Sequence, residues 1–413
     1  MTARSVSVEN GESEASLDVA VIGAGPAGLG CALALQACGV QRMAIFDRCE
    51  VGASFARWPR QMRLITPSFH SNPFRQPDLN AITPKTSPAD FLHGEHPTGR
   101  EYALYLKAVA THYALPVRDG TGVKEIMSTG AEFDVITEKG VVRARNVIWA
   151  AGEFSRPDHG GIKGAHHCRH NGEVVDWKLL QGAEHTIIGG YESGIDAAVN
   201  LAWLGRDVKV LSRGEPWHVS SPDPSVALSP YTIDRLKAAL LEAPGSIHFY
   251  KNADISEVTR QRGRWRVHDR AGGVYESETA PILCTGFHGA LQPVRHLFHE
   301  AEGRLIFSEE ADESTLTPGL FYSGPSLVHR GSSFCFIYKF RSRFGVVARA
   351  IAQRLGLPWE TALRPWQEHG FMLEDLSCCV DCQCAVGAAG REAPEVAEYE
   401  TLNGREVPAH VQA

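Results

Sequence analysis

Two uninterrupted apolar runs, each broken by a glycine turn and resumed as a stretch of small and apolar residues, dominate the pattern of the chain. The first is Ala20-Val21-Ile22-Gly23-Ala24-Gly25-Pro26-Ala27-Gly28, continuing through residues 29–37. The second is Thr186-Ile187-Ile188-Gly189-Gly190-Tyr191-Glu192-Ser193-Gly194, continuing through 195–204. A short run without polar alternation predicts a strand buried on both faces, and the longer run after the turn predicts a helix. Each helix is followed by another apolar run, Met43-Ala44-Ile45-Phe46-Asp47 and Val208-Lys209-Val210-Leu211. Strand, glycine turn, helix and strand therefore occur twice.

Between these units the period changes to strict alternation. Glu132-Phe133-Asp134-Val135-Ile136-Thr137, a turn at 138–140 and Val141-Val142-Arg143-Ala144-Arg145 predict a hairpin or small meander. A buried strand follows at 146–150 and ends at Ala151-Gly152. The second half repeats this order with 264–268, a turn at 271–273, 274–276, and a strand running from Pro281 to Gly286. The expected fold is α/β: two Rossmann-like, three-layer ββα dinucleotide-binding domains, the second inserted in the first. The expected divisions are a disordered leader at 1–16, a first domain at 17–160 and 281–357, a second at 161–280, and a cysteine-containing tail at 358–413. Leu320-Phe321-Tyr322-Ser323-Gly324 reads as a strand closing the first domain, and 340–355 as an amphipathic helix.

Composition narrows the classes without choosing among them. With 413 residues, 43% hydrophobic and 22% charged, the chain has the make-up of a globular protein with more than one core. A net charge of −7 leaves no basic excess for phosphate backbones, so no nucleic-acid partner is expected. No apolar run approaches the roughly 20 residues of a membrane span, and the polar start lacks a secretory pattern. The cytoplasm is the expected compartment.

The glycine turns carry the candidate chemistry. Gly23 makes the tight turn, Gly25 lets a pyrophosphate approach the backbone at the helix N-terminus, and Gly28 lets helix and strand pack closely. Asp47, 24 positions after Gly23, can accept hydrogen bonds from ribose hydroxyls. Pro26, Ala27 and Arg48 belong to the same turn and strand end. The second turn has Tyr191 at the middle glycine position, with Gly189, Gly190, Glu192 and Ser193 around it. Its next strand ends in Ser212-Arg213, a hydroxyl and a guanidinium that suit a 2′-phosphate. Two such turns in one chain point to FAD at the first and NADP(H) at the second; a second module that no longer binds nucleotide is the alternative there.

Three segments carry a family resemblance: Gly52-Ala53-Ser54-Phe55-Ala56-Arg57-Trp58-Pro59 with Leu64-Ile65-Thr66-Pro67 and Ser71-Asn72-Pro73-Phe74, then Ala150-Ala151-Gly152-Glu153-Phe154-Ser155-Arg156-Pro157, then Cys284-Thr285-Gly286-Phe287. In these the chain resembles flavin-containing monooxygenases within the pyridine nucleotide-disulfide oxidoreductase-like flavoproteins, over roughly 17–355. The resemblance implies an NADPH-dependent FAD monooxygenase that forms a C4a-hydroperoxyflavin and oxygenates a small molecule at nitrogen, sulfur or a carbonyl, with molecular oxygen as co-substrate. It implies flavin contacts from Phe55, Trp58, Val123, Gly152 and Gly324, further nucleotide contacts from Thr285 and Gly286, and Asn72 as the catalytic residue facing the flavin. A homodimer is left open.

The chain departs from that pattern. In Ile162-Lys163-Gly164-Ala165-His166-His167-Cys168, Cys168 stands where the monooxygenase fingerprint has His. Pro325 replaces the Asp of the glutathione-reductase-like final motif. The resemblance also extends to thioredoxin-reductase-like and bacillithiol disulfide reductases, so reduction of a small or thioredoxin-like disulfide is the alternative function. Against it, no C-x-x-C lies between Cys168 and Cys284, and Ala27 stands where bacillithiol reductases are expected to carry cysteine. His70, His166, His167 and His170 read as surface-loop residues before acid–base groups. Cys31, Cys38, Cys284 and Cys335 read as core. Cys378, Cys379, Cys382 and Cys384 fit incidental thiols, a redox dithiol or a metal knuckle; no metal site is expected.

Overall fold

A computed structural model describes residues 16–70, 76–92, 94–219, 221, 225–377, 399–402 and 405–408. The leader up to residue 15, Asn72 and the cysteines at 378–384 lie outside the described residues.

The first apolar run folds into the strand Leu17–Ile22, the helix Pro26–Ala37 and the strand Met43–Phe46. The two strands are parallel, with Val19 opposite Met43 and Ile22 opposite Phe46. Val117–Arg118 pairs parallel beyond Met43–Phe46, while Gly140–Trp149 and then Leu320–Tyr322 continue the parallel sheet on the other side. Residues 147–149 are buried because they pair on both edges. The start of the same strand pairs antiparallel with Phe133–Thr137, whose alternating burial matches its alternating sequence. Of the expected hairpin or small meander, the meander forms, because Val123–Ser128 adds to Phe133–Thr137.

The second apolar run builds the second unit in the same manner. Glu184–Ile188 leads through its turn into the helix Glu192–Trp203 and the strand Asp207–Leu211, with Ile247–Tyr250 beyond. On the other edge Ile282–Leu283 pairs parallel with Glu184–Ile188 and then with Arg169–His170. This moves the expected domain division at 281. The hydrogen bonds of Ile282–Leu283 belong to the second sheet, so the chain returns to the first unit only after Gly286. Ile255–Gln261, Arg264–Asp269 and Val274–Ser277 form the second meander.

Two expectations near the C-terminus are corrected. The helix expected over 340–355 is divided into Ile337–Phe340, a 3-10 turn at Arg341–Arg343 and Phe344–Arg354. Both turn arginines are buried and directed at fixed acceptors. Arg341 Nη1 donates to the carbonyls of Asp78 and Ala81, and Arg343 pairs with Asp312, which also meets His329 Nε2 at 2.7 Å. The region after 357, expected as a tail, packs in part against the first core. The helix Glu360–Glu368 buries Leu363 and Trp366 in the first core, and Phe371, Met372 and Leu376 follow them.

Candidate functional site

A cavity of about 520 Å³ runs from the first glycine turn to the start of the second unit's helix. At the first turn, Gly23 has φ +115°, and a side chain there would stand 2.3 Å from the Ala150 carbonyl oxygen; one on Gly28 would strike the Gly23 carbonyl oxygen. Those glycines bring turn, helix and neighbouring strand end together. Gly25 differs: no atom lies within 4 Å of the place its Cβ would occupy, so its backbone faces open space. It is the N-cap of Pro26–Ala37, which has no side-chain cap and no acid in its first turn. The helix end thus directs an uncompensated positive dipole toward the cavity.

Asp47 closes this corner. Its Oδ2 accepts from Ala24 N–H and its Oδ1 from Cys49 N–H, both at 2.8 Å, which fixes the carboxylate at the strand end. Gly23, Pro26, Ala27, Arg48 and Val123 line the cavity with Gly25 and Asp47. Phe55 and Trp58 line it too, their rings 4.9 Å apart. An open glycine backbone, an uncompensated helix N-terminus and a carboxylate held by two amides fit the pyrophosphate and ribose of a flavin dinucleotide.

The second turn repeats the backbone with different side chains. Gly189 has φ +107°, with a Cβ position 2.3 Å from the Cys284 carbonyl oxygen, and Gly194 abuts the Gly189 carbonyl. The Tyr191 side chain does not fill the turn: its hydroxyl donates to the Ala227 carbonyl at 2.7 Å, directing the ring toward the loop before the helix Pro230–Glu242. Gly190 must be small for another reason, since a Cβ there would lie 2.7 Å from Ser212 Oγ and 3.0 Å from the Trp217 ring. Ser212 is buried by that packing, while Arg213 is exposed at the strand end. Glu192 and Ser193 reach the cavity; among the described residues lining it, Gly189, Gly190, Tyr191, Ser212 and Arg213 are absent. Glu192 compensates its own helix end and accepts from Thr232 Oγ1 at 2.5 Å and from Ser229 N–H.

Between the units the two chain crossings hold each other. Ala290 N–H donates to Gly152 O at 2.8 Å, His288 N–H to Arg156 O at 2.7 Å and Asp158 N–H to Gly286 O at 2.9 Å. Thr285 Oγ1 donates to the Asp158 carbonyl, and the Phe154 and Phe287 rings lie 5.2 Å apart. Thr285 and Gly286 therefore belong to this paired linker, whereas Gly152 lines the cavity. Gly324, at φ +144°, lies beside the Tyr322 hydroxyl, and Pro325 after it lines the cavity.

Several residues of the site were not expected. Glu153 lines the cavity, and burial pushes its carboxyl up to about 7. Cys335 is not core: it is partly exposed, lines the cavity and has Ser225 Oγ 3.1 Å from its sulfur. Asn171 and Asp196 also line it while buried. His170, expected on the surface, is 1% exposed, with Nε2 3.0 Å from the Gly286 carbonyl; burial holds its imidazole below the usual range. His166 is exposed, His167 intermediate, and His70 is an exposed partner of Asp90. Burial pushes the Cys168 thiol up to about 12, which makes it a poor nucleophile. Among the described residues no group of three His, Cys, Asp or Glu side chains could hold a metal ion, and no helix is long and apolar enough to cross a membrane.

Comparison with known proteins places this architecture. The chain is similar to the bacilliredoxin reductase Bdr of Bacillus subtilis (strain 168), 24% identical over 343 residues that make up 81% of this chain and 97% of that protein. Its fold is shared with the bacillithiol disulfide reductase Bdr of Staphylococcus aureus, with a TM-score of 0.67 and 19% identity over 82% of this chain and 99% of that one. It is shared also with an ornithine N-hydroxylase of Kutzneria sp. 744 described with reduced FAD, NADP+ and L-ornithine, with a TM-score of 0.64 and 18% identity over 83% and 100% of the two chains. The model of the pyridine nucleotide-disulphide oxidoreductase family matches residues 20–324, nearly the whole of both units, and the chain belongs to that family of flavin oxidoreductases.

Proposed function

We propose that the chain uses NADPH to reduce a bound FAD and delivers the electron pair to a small disulfide. The observation that carries the first half is the single cavity joining the Gly25 and Asp47 corner to Glu192 and Ser193 at the second helix. A nicotinamide ring and a flavin ring meet only if one space connects their two cradles. Support for the disulfide is the likeness to bacilliredoxin reductase across 97% of that protein.

Bound FAD supplies hydride acceptance and two-electron transfer. The chain's part is positioning and proton supply. The Gly25 backbone and the start of Pro26–Ala37 hold the pyrophosphate, and Asp47 accepts from the ribose. Exposed Arg213 meets the 2′-phosphate that distinguishes NADPH. The balanced reaction is NADPH + H⁺ + RSSR → NADP⁺ + 2 RSH. Cleavage of the S–S bond releases a thiolate that needs a proton, and Glu153 is a cavity-lining carboxyl that holds one near neutral pH.

A second reading is supported by specific residues. Ala27 stands in the glycine turn without a thiol, and no cysteine occurs between Cys168 and Cys284. Both favour oxygen as acceptor and a small molecule oxygenated at nitrogen, sulfur or a carbonyl. Anaerobic reduction by NADPH followed by mixing with either bacillithiol disulfide or oxygen separates the two. Rapid stoichiometric thiol release supports the disulfide, and oxygen uptake matched by substrate oxygenation supports the second reading.

A further inference from the structure

Two buried residues on the second unit's side of the cavity each carry a polar atom that the protein leaves without a partner. Asn171 is 1% exposed and its Oδ1 receives no hydrogen bond. Asp196 is 8% exposed; its Oδ1 takes Arg235 Nη1 at 2.5 Å, but its Oδ2 is unpaired. Both residues line the cavity. Buried acceptors are almost always satisfied in folded proteins, because burial strips them of water and returns nothing. Two orphan acceptors on residues that line one cavity leave room for a ligand that brings N–H donors.

The charges nearby choose the kind of donor. Arg235 matches the charge of Asp196. Glu192, one helical turn earlier, is occupied by Ser229 N–H and Thr232 Oγ1, and burial shifts it toward its neutral form. Arg63, also on the cavity wall, adds a positive group. The wall therefore offers acceptors without a net negative field, which suits an uncharged donor over an ammonium ion.

We propose that Asn171 and Asp196 form a subsite for the N–H donors of a primary carboxamide, and that its occupant is the carboxamide of the nicotinamide ring. The second part rests on the proposed nicotinamide site. Such a subsite discriminates by hydrogen bonding, since a ligand of equal shape without the donors leaves the acceptors unpaired.

The test is direct binding to the FAD-loaded protein, read from the perturbed flavin absorbance and by calorimetry. The probes are NADP+ and its 3-acetylpyridine analogue, in which a methyl group replaces the amide nitrogen, together with free nicotinamide and free 3-acetylpyridine. Wild type is expected to bind NADP+ at least ~10-fold more tightly than the analogue. Asn171→Leu and Asp196→Asn are expected to weaken NADP+ and leave the analogue unchanged, so that the ratio falls toward unity. Asp196 also holds Arg235, so Asn171→Leu stands as an independent variant if Asp196→Asn fails to fold. Equal binding of NADP+ and the analogue by wild type overturns the subsite, as does a ratio unchanged in both variants. If NADP+ does not bind while free nicotinamide is still preferred over 3-acetylpyridine, the subsite stands and the nucleotide assignment falls.

Discussion

At the scale of single residues, Asp47 and Glu153 are two carboxylates in one cavity with opposite environments. Asp47 is fixed by two amides, so Asp47→Ala leaves Ala24 N–H and Cys49 N–H without acceptors. The expected loss is about 1–3 kcal/mol of stability, read from urea unfolding, with FAD affinity weakened in titrations of the apoprotein. Glu153 has no such support, and burial raises its carboxyl to about 7. In the unfolded chain a glutamate titrates near ~4.3. Across that interval the folded state holds a proton that the unfolded state has released, so the fold is favoured at the acid end and loses this contribution as pH rises toward 7. Thermal melts from pH 5 to 8 are expected to show wild type losing stability relative to Glu153→Gln as pH rises. A constant difference between the two would show that Glu153 is not the titrating group.

At the scale of elements, the glycine turns are equal in backbone and unequal in use. The first opens its middle glycine and bare helix end to the cavity, whereas the second presents Glu192 and Ser193 and turns Tyr191 away. The C-terminal elements are tied to the first core by the Asp312, His329 and Arg343 cluster, in which each residue is almost fully buried. Arg343→Met leaves the Asp312 charge without its main partner, with an expected cost of about 3–5 kcal/mol in the urea midpoint analysis. Ending the chain at residue 357 removes Leu363, Trp366, Phe371, Met372 and Leu376, all buried. At about 1.5–3 kcal/mol for each side chain, the loss rivals the roughly 5–15 kcal/mol of an ordinary fold, so the truncated chain is expected to be recovered without near-UV circular dichroism.

The strand–turn–helix units and Asp47 were legible because local sequence specifies them: an unbroken apolar run, glycines at fixed spacing and an acid at the next strand end. Glu153, Asn171, Asp196 and Cys335 were not, because the cavity brings together residues from both units and no local period marks which side chain faces it. Cys335 lies among apolar residues and reads as core, yet it faces the cavity. The elements after 357 were hidden for a related reason. The helix Glu360–Glu368 is short and polar, contains Pro365 and buries only Leu363 and Trp366, too few positions to make a clear period.

At the scale of the whole molecule, two dinucleotide units are joined by a pair of crossings that hydrogen-bond to each other, with one cavity running between them. The proposed reaction requires electrons to pass from a nucleotide in the second unit to a flavin in the first. The direct measurement is anaerobic stopped-flow absorbance of the FAD-loaded protein mixed with NADPH and then with bacillithiol disulfide. NADPH is expected to bleach the flavin, and the disulfide to restore its colour with release of two thiols per flavin. A flavin that keeps its oxidised spectrum in the presence of NADPH would contradict this transfer.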